Sequence, residues 1–95
     1  MNETILELLD EFIEDKTTME DTASSTIRNY KISILTFVKR TGAKTIADFN
    51  FDNLRKYFFE GRTDTDTKKW NVSTLNEYMK RLNVFGEWCV DKNYL

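Results

Sequence analysis

The sequence predicts an all-α protein, a single compact four-helix bundle. Three observations carry this expectation. Apolar residues recur with the 3.6-residue period in four separate segments, no stretch of useful length alternates as a strand does, and there is no proline. Ninety-five residues make one ordinary domain. A content of 40% hydrophobic and 14% aromatic residues is enough to close a modest core, and 32% charge is that of a globular surface rather than a disordered chain.

The first helix is expected over Glu3–Asp15, with Ile5, Leu8, Leu9, Phe12 and Ile13 on one face. Its outer face is nearly all acid. Acids in the first turn suit the helix dipole, whereas acids at the end oppose it. Lys16-Thr17-Thr18 and the polar residues after it read as a loop.

The second helix is expected over Ser25–Thr41, with Ser24 or Ser25 as the N-cap, because a hydroxyl there can accept from first-turn amides. Ile27, Tyr30, Ile34, Phe37 and Val38 form its buried stripe. The opposite face carries Ser25, Asn29, Thr36, Lys39 and Arg40, with Arg28 and Ser33 at its edges and Ile32 as an apolar intruder. Gly42 is placed to end the helix in the left-handed conformation.

The third helix is expected over Phe51–Glu60, capped by Asn50 and closed by Gly61, with Leu54, Tyr57 and Phe58 facing inward. Ile46 and Phe49 should pin the preceding loop to the core. Arg62–Asn71 reads as a linker. The fourth helix is expected over Ser73–Asp91, burying Leu75, Tyr78, Met79, Leu82, Phe85 and Cys89. Its outer face shows Ser73, Asn76, Glu77 and Lys80 in the first two turns, with Arg81 beside them.

Composition argues against catalysis by this chain. There is no histidine, and Cys89 is the only cysteine. The usual general base and the usual zinc ligands are therefore missing, and no internal disulfide can form, in keeping with a reducing compartment. Cys89 falls on a buried stripe and reads as a small apolar filler. Asp64 and Asp66 lie in the Thr-rich run Thr63–Thr67 and read as a solvated loop. Gly42, Gly61 and Gly86 are too far apart for a phosphate loop. Tyr30, Tyr57, Tyr78 and Tyr94 lack an activating base. Trp70 and Trp88, near helix ends, read as core. No cofactor and no metal is expected. The acidic N-terminus does not resemble a secretory signal, and no run reaches the roughly 18 apolar residues of a membrane helix. The expected location is cytoplasmic, away from membranes.

The net charge of −2 conceals an asymmetry. Residues 1–24 hold eight acids and one base, a net of −7, and residues 25–95 a net of +5. Thr22 through Ala47 contains no acid and five bases, Arg28, Lys31, Lys39, Arg40 and Lys44. The local field outweighs the total, because salt screens beyond roughly 10 Å. The strongest candidate surface joins the outer faces of the second and fourth helices. Both begin with Ser and Thr (Ser24-Ser25-Thr26 and Ser73-Thr74), then present Asn and a base within two turns. Phosphate favours positive charge and helix N-termini, while Asn and Arg can pair with adenine and guanine edges. On residue type alone, ordinary capped and solvated helices explain the same positions at least as well.

The order of motifs adds a resemblance. Ser25-Thr26, then Tyr30, Ile34 and Phe37, resembles the "S-T-x-x-x-Y-x-x-x-L-x-x-F" second helix of the core-binding domain of tyrosine recombinases (phage integrases). Ser73-Thr74-Leu75-Asn76, followed by Leu82, Phe85 and Trp88, is similar to that domain's last helix, and Thr45-Ile46-Ala47-Asp48-Phe49 resembles the segment between. The resemblance covers nearly the whole chain. It implies a SAM-like core-binding domain that clamps duplex DNA while a separate C-terminal domain of the same parent chain performs strand exchange, and that helps position other protomers in a recombination complex. It carries a DNA-facing role onto Ser25, Thr26, Arg28, Asn29, Thr36, Lys39 and Arg40, and onto Ser73, Thr74, Asn76, Lys80 and Arg81. The family's catalytic residues belong to the other domain, so no position here receives them.

This sequence departs from the pattern in three ways. The first helix is unusually acidic. Glu77 sits beside Asn76 and Lys80, where it must face away from phosphate or accept from a cytosine amine. The usual Asn-Pro after the last helix is missing, since the sequence stops at Tyr94-Leu95, so an excised domain or fragment is expected, with a small stand-alone protein as the alternative. A different reading makes the chain a protein-interaction module that uses its acidic first helix. A continuous basic strip across the second and fourth helices would favour DNA, and scattered bases would favour the interaction module.

Overall fold

The computed structural model describes residues 3–63 and 72–95, with side chains described over 3–59 and 74–95. Four α-helices and one 3-10 turn make up the described residues, in the order α1 (Ile5–Thr18), α2 (Ser24–Thr41), the 3-10 turn (Ile46–Asp48), α3 (Phe51–Thr63) and α4 (Val72–Asp91). No strand occurs among them. The Cα radius of gyration is 13.2 Å, matching the roughly 13 Å of a packed 100-residue domain. α2 packs against all three other helices, and α4 also packs against α1 and α3.

α1 starts where Thr4 Oγ1 accepts from the Glu7 amide at 3.1 Å, one of the otherwise orphaned first-turn donors. Ile5, Leu8, Leu9 and Phe12 are buried at helical spacing. Contrary to the expected loop, Lys16, Thr17 and Thr18 continue the helix. The two threonines donate their hydroxyls back to the carbonyls of Ile13 and Glu14 at 2.8 and 2.7 Å, so their polar groups are satisfied without leaving the helix. Lys16 suits the C-terminal dipole, pairs with Glu20 at 3.0 Å and lies over the Phe12 ring.

α2 buries Ile34 and Phe37 completely and half-buries Ile27, Tyr30 and Val38. Two expectations fail here. Neither Ser24 nor Ser25 caps the helix: Ala23 occupies the cap position without a side-chain bond, and Ser24 is already helical. Ser33, expected at the edge of the outer face, is fully buried. At the other end Gly42 adopts φ 72°, and its amide donates to the Val38 carbonyl at 2.9 Å.

The α2–α3 connection is clasped to the N-terminus. The Ile5 amide donates to Lys44 O and the Ile46 amide to Glu3 O, both at 2.9 Å, forming an isolated antiparallel bridge. Asp48 Oδ2 accepts from the amides of Lys44 and Thr45, and these bonds hold its carboxyl below the ordinary range. Ile46 and Phe49 are buried, as their pattern implied.

Asn50 caps α3, its Oδ1 accepting from the Asn53 amide at 2.9 Å. Gly61 does not close the helix, which runs through Arg62 to Thr63. Tyr57 is the fully buried anchor and Leu54 is half-buried, but Phe58 is 39% exposed, against expectation. A short helix crossing α2 and α4 buries a narrow stripe, and Phe58 sits about 100° around from Tyr57. The linker residues 64–71, including Asp64, Asp66, Lys68, Lys69 and Trp70, lie outside the described residues.

α4 buries Leu75, Leu82, Phe85, Trp88 and Cys89. Gly86 permits a close approach: a Cβ there would stand 2.9 Å from Phe49 Cε1. Phe12 meets Tyr30, Phe85 and Trp88 edge-on, with centroids 5.3–5.5 Å apart, and Phe49 joins Phe85 to Phe37. Two acids of α1, Glu11 at mid-helix and Asp15 in the last turn, gain a tertiary role. Trp88 Nε1 donates to Asp15 at 2.9 Å, Lys92 pairs with Asp15 at 3.3 Å, and Tyr94 Oη donates to Glu11 at 2.8 Å. The Trp88 bond above all, then Lys92, holds the Asp15 carboxyl below its ordinary range.

Candidate nucleic-acid interface

The flanks of α2 and α4 meet along an open groove of about 290 Å³. Thr26, Asn29 and Tyr30 line it from α2, and Glu77, Lys80, Arg81 and Val84 from α4. The spacing explains the lining. Thr26, Asn29 and Ser33 recur every three to four residues along one flank of α2, as do Glu77, Arg81 and Val84 along the facing flank of α4. Four of the sequence-predicted positions, Thr26, Asn29, Lys80 and Arg81, are thereby brought together from segments about fifty residues apart.

Their electrostatics differ from a simple basic patch. Glu77 lies in the groove, 3.5 Å from Lys80 Nζ and 3.9 Å from Arg81 Nη2. It therefore does not face away from the bases but partly neutralises both. Arg81 is also held structurally. Its Nη1 donates to Ser33 Oγ at 3.4 Å and its guanidinium lies over the Tyr78 ring at 5.7 Å, leaving 23% of the side chain exposed. Ser33 in turn donates to the Asn29 carbonyl at 2.9 Å. The buried Ser33 thus ties the two helices together, and its sequence position alone gave no signal of this. Lys80, with 73% of its side chain exposed, is the accessible cation of the groove.

The remaining α2 positions divide among other faces. Ser25, Arg28 and Lys39 are exposed on the outer stripe, where Ile32 and Leu35 intervene at 43% and 44% exposure. Thr36 is half-buried and spends its hydroxyl on the Ile32 carbonyl at 2.6 Å. Arg40 is half-buried near Tyr57. On α4, Asn76 is exposed but does not line the groove, and Thr74 is half-buried in the first turn. The side chain of Ser73 lies outside the described residues. The basic positions are therefore split between a groove and an outer stripe, not gathered into one continuous strip.

Other candidate chemistry fares as follows. Cys89 is buried, and burial pushes its thiol up to about 12, which keeps it protonated and non-nucleophilic at neutral pH. Burial also raises Tyr57, and the hydrogen bond to Glu11 raises Tyr94. Among the described residues no group of acids, cysteine and histidine is placed to hold a metal ion, and no helix is long and apolar enough to cross a membrane. On α1, Glu7, Asp10 and Glu14 remain exposed on one acidic stripe. The chain matches no protein-family model, no curated protein and no solved structure.

Proposed function

We propose that this chain is the duplex-DNA-binding domain of a tyrosine-recombinase (phage-integrase) type enzyme, with a SAM-like core-binding fold and the strand-exchange chemistry in a separate catalytic domain. The observation that carries this reading is the groove in which Thr26 and Asn29 of α2 stand beside Lys80 and Arg81 of α4. The resemblance of those same two helices to the family's DNA-facing pair supports it. Lys80 takes a phosphate, Asn29 is within reach of a base edge, and Arg28 and Lys39 add phosphate contacts at the margin. Arg81 is a positioning residue that braces α4 against Ser33. The uncapped start of α2 offers first-turn amides to a further phosphate. The same reading makes the parent chain's catalytic domain and other protomers of a recombination complex the protein partners, in the cytoplasm, with no cofactor bound here.

Fluorescence anisotropy with a labelled duplex tests the proposal. About four to six phosphate contacts give a slope of log affinity against log salt of about −4 to −5. Arg28→Glu and Lys80→Glu should each weaken binding, and Glu7→Gln should leave it unchanged. No binding at tens of micromolar protein in low salt rejects the reading.

A second reading, a protein-interaction module, rests on the exposed acidic stripe Glu7, Asp10 and Glu14 and on the division of the bases between two faces. It predicts no duplex binding, and capture of a basic partner that is lost on Glu7→Lys with Asp10→Lys.

A further inference from the structure

The flank of α4 turned away from the groove carries a different surface. Two clefts of about 480 and 290 Å³ share Phe51, Leu54 and Asn83, and together they form a trough between α3 and α4. Leu54 and Phe49 make its floor. Phe51, 75% exposed, and Val90, 55% exposed, make its walls. At one end Glu87 and Asp91 stand one turn apart on α4, exposed, and neither pairs with a base among the described residues. Contiguous exposed apolar surface rimmed by charge is characteristic of a protein-binding face.

The outer stripe of α2 has the complementary character. Ile32 and Leu35 stand exposed side by side, with Arg28 one turn before and Lys39 one turn after, in a segment that holds no acid from Thr22 to Ala47. From Arg28 to Lys39 the helix covers about 17 Å. α2 contributes no residue to the trough, so the stripe and the trough are separate faces of one chain.

We propose that the trough receives the outer stripe of α2 from a second copy of this chain, head to tail. Ile32 and Leu35 enter between Phe51 and Val90, and a base at the end of the stripe meets Glu87 and Asp91. Charge complementarity selects this occupant: the trough is acidic at its Glu87 and Asp91 end, with Arg55 of α3 at the other, and the acidic end takes an apolar ridge that carries a base beside it. The contact buries well under the roughly 800 Å² per partner of a standard interface, so association is weak. Because the two faces are unlike, copies add in series or close into a ring. The inference does not depend on DNA binding. Since Arg28 and Lys39 also belong to the proposed DNA contacts, duplex should compete with self-association.

Sedimentation velocity of the full chain without DNA, from roughly 10 μM to 1 mM, tests it. The sedimentation coefficient should rise with concentration in low salt and fall back in roughly 0.5 M salt, where the Debye length shortens to a few ångströms. The double variants Glu87→Lys/Asp91→Lys and Arg28→Glu/Lys39→Glu should each sediment as monomers, with circular dichroism confirming that both are folded. An equimolar mixture of the two should associate again, because each restores the charge match for the other. A wild-type chain that stays monomeric at 1 mM overturns the proposal. So does association that survives either double variant, including loss with the trough variant alone, which would mean that the trough binds something other than α2. A mixture that fails to associate also overturns it.

Discussion

Glu77→Gln gives the sharpest test of the groove between α2 and α4. The carboxylate sits 3.5 Å from Lys80 Nζ and 3.9 Å from Arg81 Nη2, so the groove holds two bases and one acid. Substitution by Gln keeps the shape and raises the net charge by one. A phosphate on Lys80 would lie about 7 Å from the Glu77 carboxylate, where two unit charges repel by about 0.6 kcal/mol in water and about 2.4 kcal/mol at an effective dielectric of 20. Glu77 is 55% exposed, which places the effect toward the lower figure. The expected gain is thus about three- to tenfold in duplex affinity. Releasing Lys80 for full phosphate contact should steepen the salt slope by about 0.9. The exposed ion pairs contribute little to folding, so stability should fall by no more than about 1 kcal/mol. Anisotropy titrations at several salt concentrations, with urea unfolding as the control, measure both quantities. Binding that is unchanged or weaker in Glu77→Gln refutes the assignment of this groove to phosphate, whatever the chain binds elsewhere.

The core and the titrating groups give further predictions. Phe12→Ala removes the ring shared by Tyr30, Phe85 and Trp88 and should cost about 3–5 kcal/mol in urea unfolding, whereas Leu6→Ala, at a half-exposed site, should change little. Gly86→Ala should destabilise by about 1 kcal/mol, because overpacking Phe49, which is held edge-on by Phe37 and Phe85, outweighs the helix-propensity gain of about 1 kcal/mol. Asp15 and Asp48 have carboxyls lowered from 3.8. Their stabilisation is present above that value and lost as pH falls below it through the folded-state values, so melting temperature should drop in that acid window, less steeply in Trp88→Phe. Cys89 is raised from 9.0 to about 12, so its contribution is full below pH 9 and lost as pH rises toward 12; at pH 8 the native thiol should resist a disulfide reagent until the protein unfolds.

The four helices were legible because their signal is local. The 3.6-residue recurrence of Ile5, Leu8, Leu9 and Phe12, or of Leu75, Leu82, Phe85 and Cys89, fixes both the element and its buried face. Gly42 and Asn50 were legible as helix ends for the same reason, since a left-handed residue and an amide cap act within one turn. Where helix ends were misplaced, the deciding bond was also local but ambiguous. Thr17 and Thr18 suit a loop by type, yet in α1 their hydroxyls bond back to the helix, and Gly61 is a possible stop that α3 passes through.

Beyond the helices, the sequence by itself determined an acidic first helix, an acid-free second helix and a buried cysteine. Only the tertiary structure decided what those charges do. Asp15 opposes its own helix dipole, and only the return of α4 and the residues after it gives Asp15 and Glu11 the partners Trp88, Lys92 and Tyr94. Ser33 is buried because α4 crosses α2 there and sends Arg81 to it. The groove that places Glu77, Lys80 and Arg81 beside Thr26 and Asn29 exists only where α2 and α4 meet, and Leu35 joins Ile32 as an exposed ridge that no described helix covers. Periodicity fixes which face of a helix is apolar, but the partners of Glu11, Asp15 and Ser33 lie some fifty to eighty positions away, and only packing brings those together.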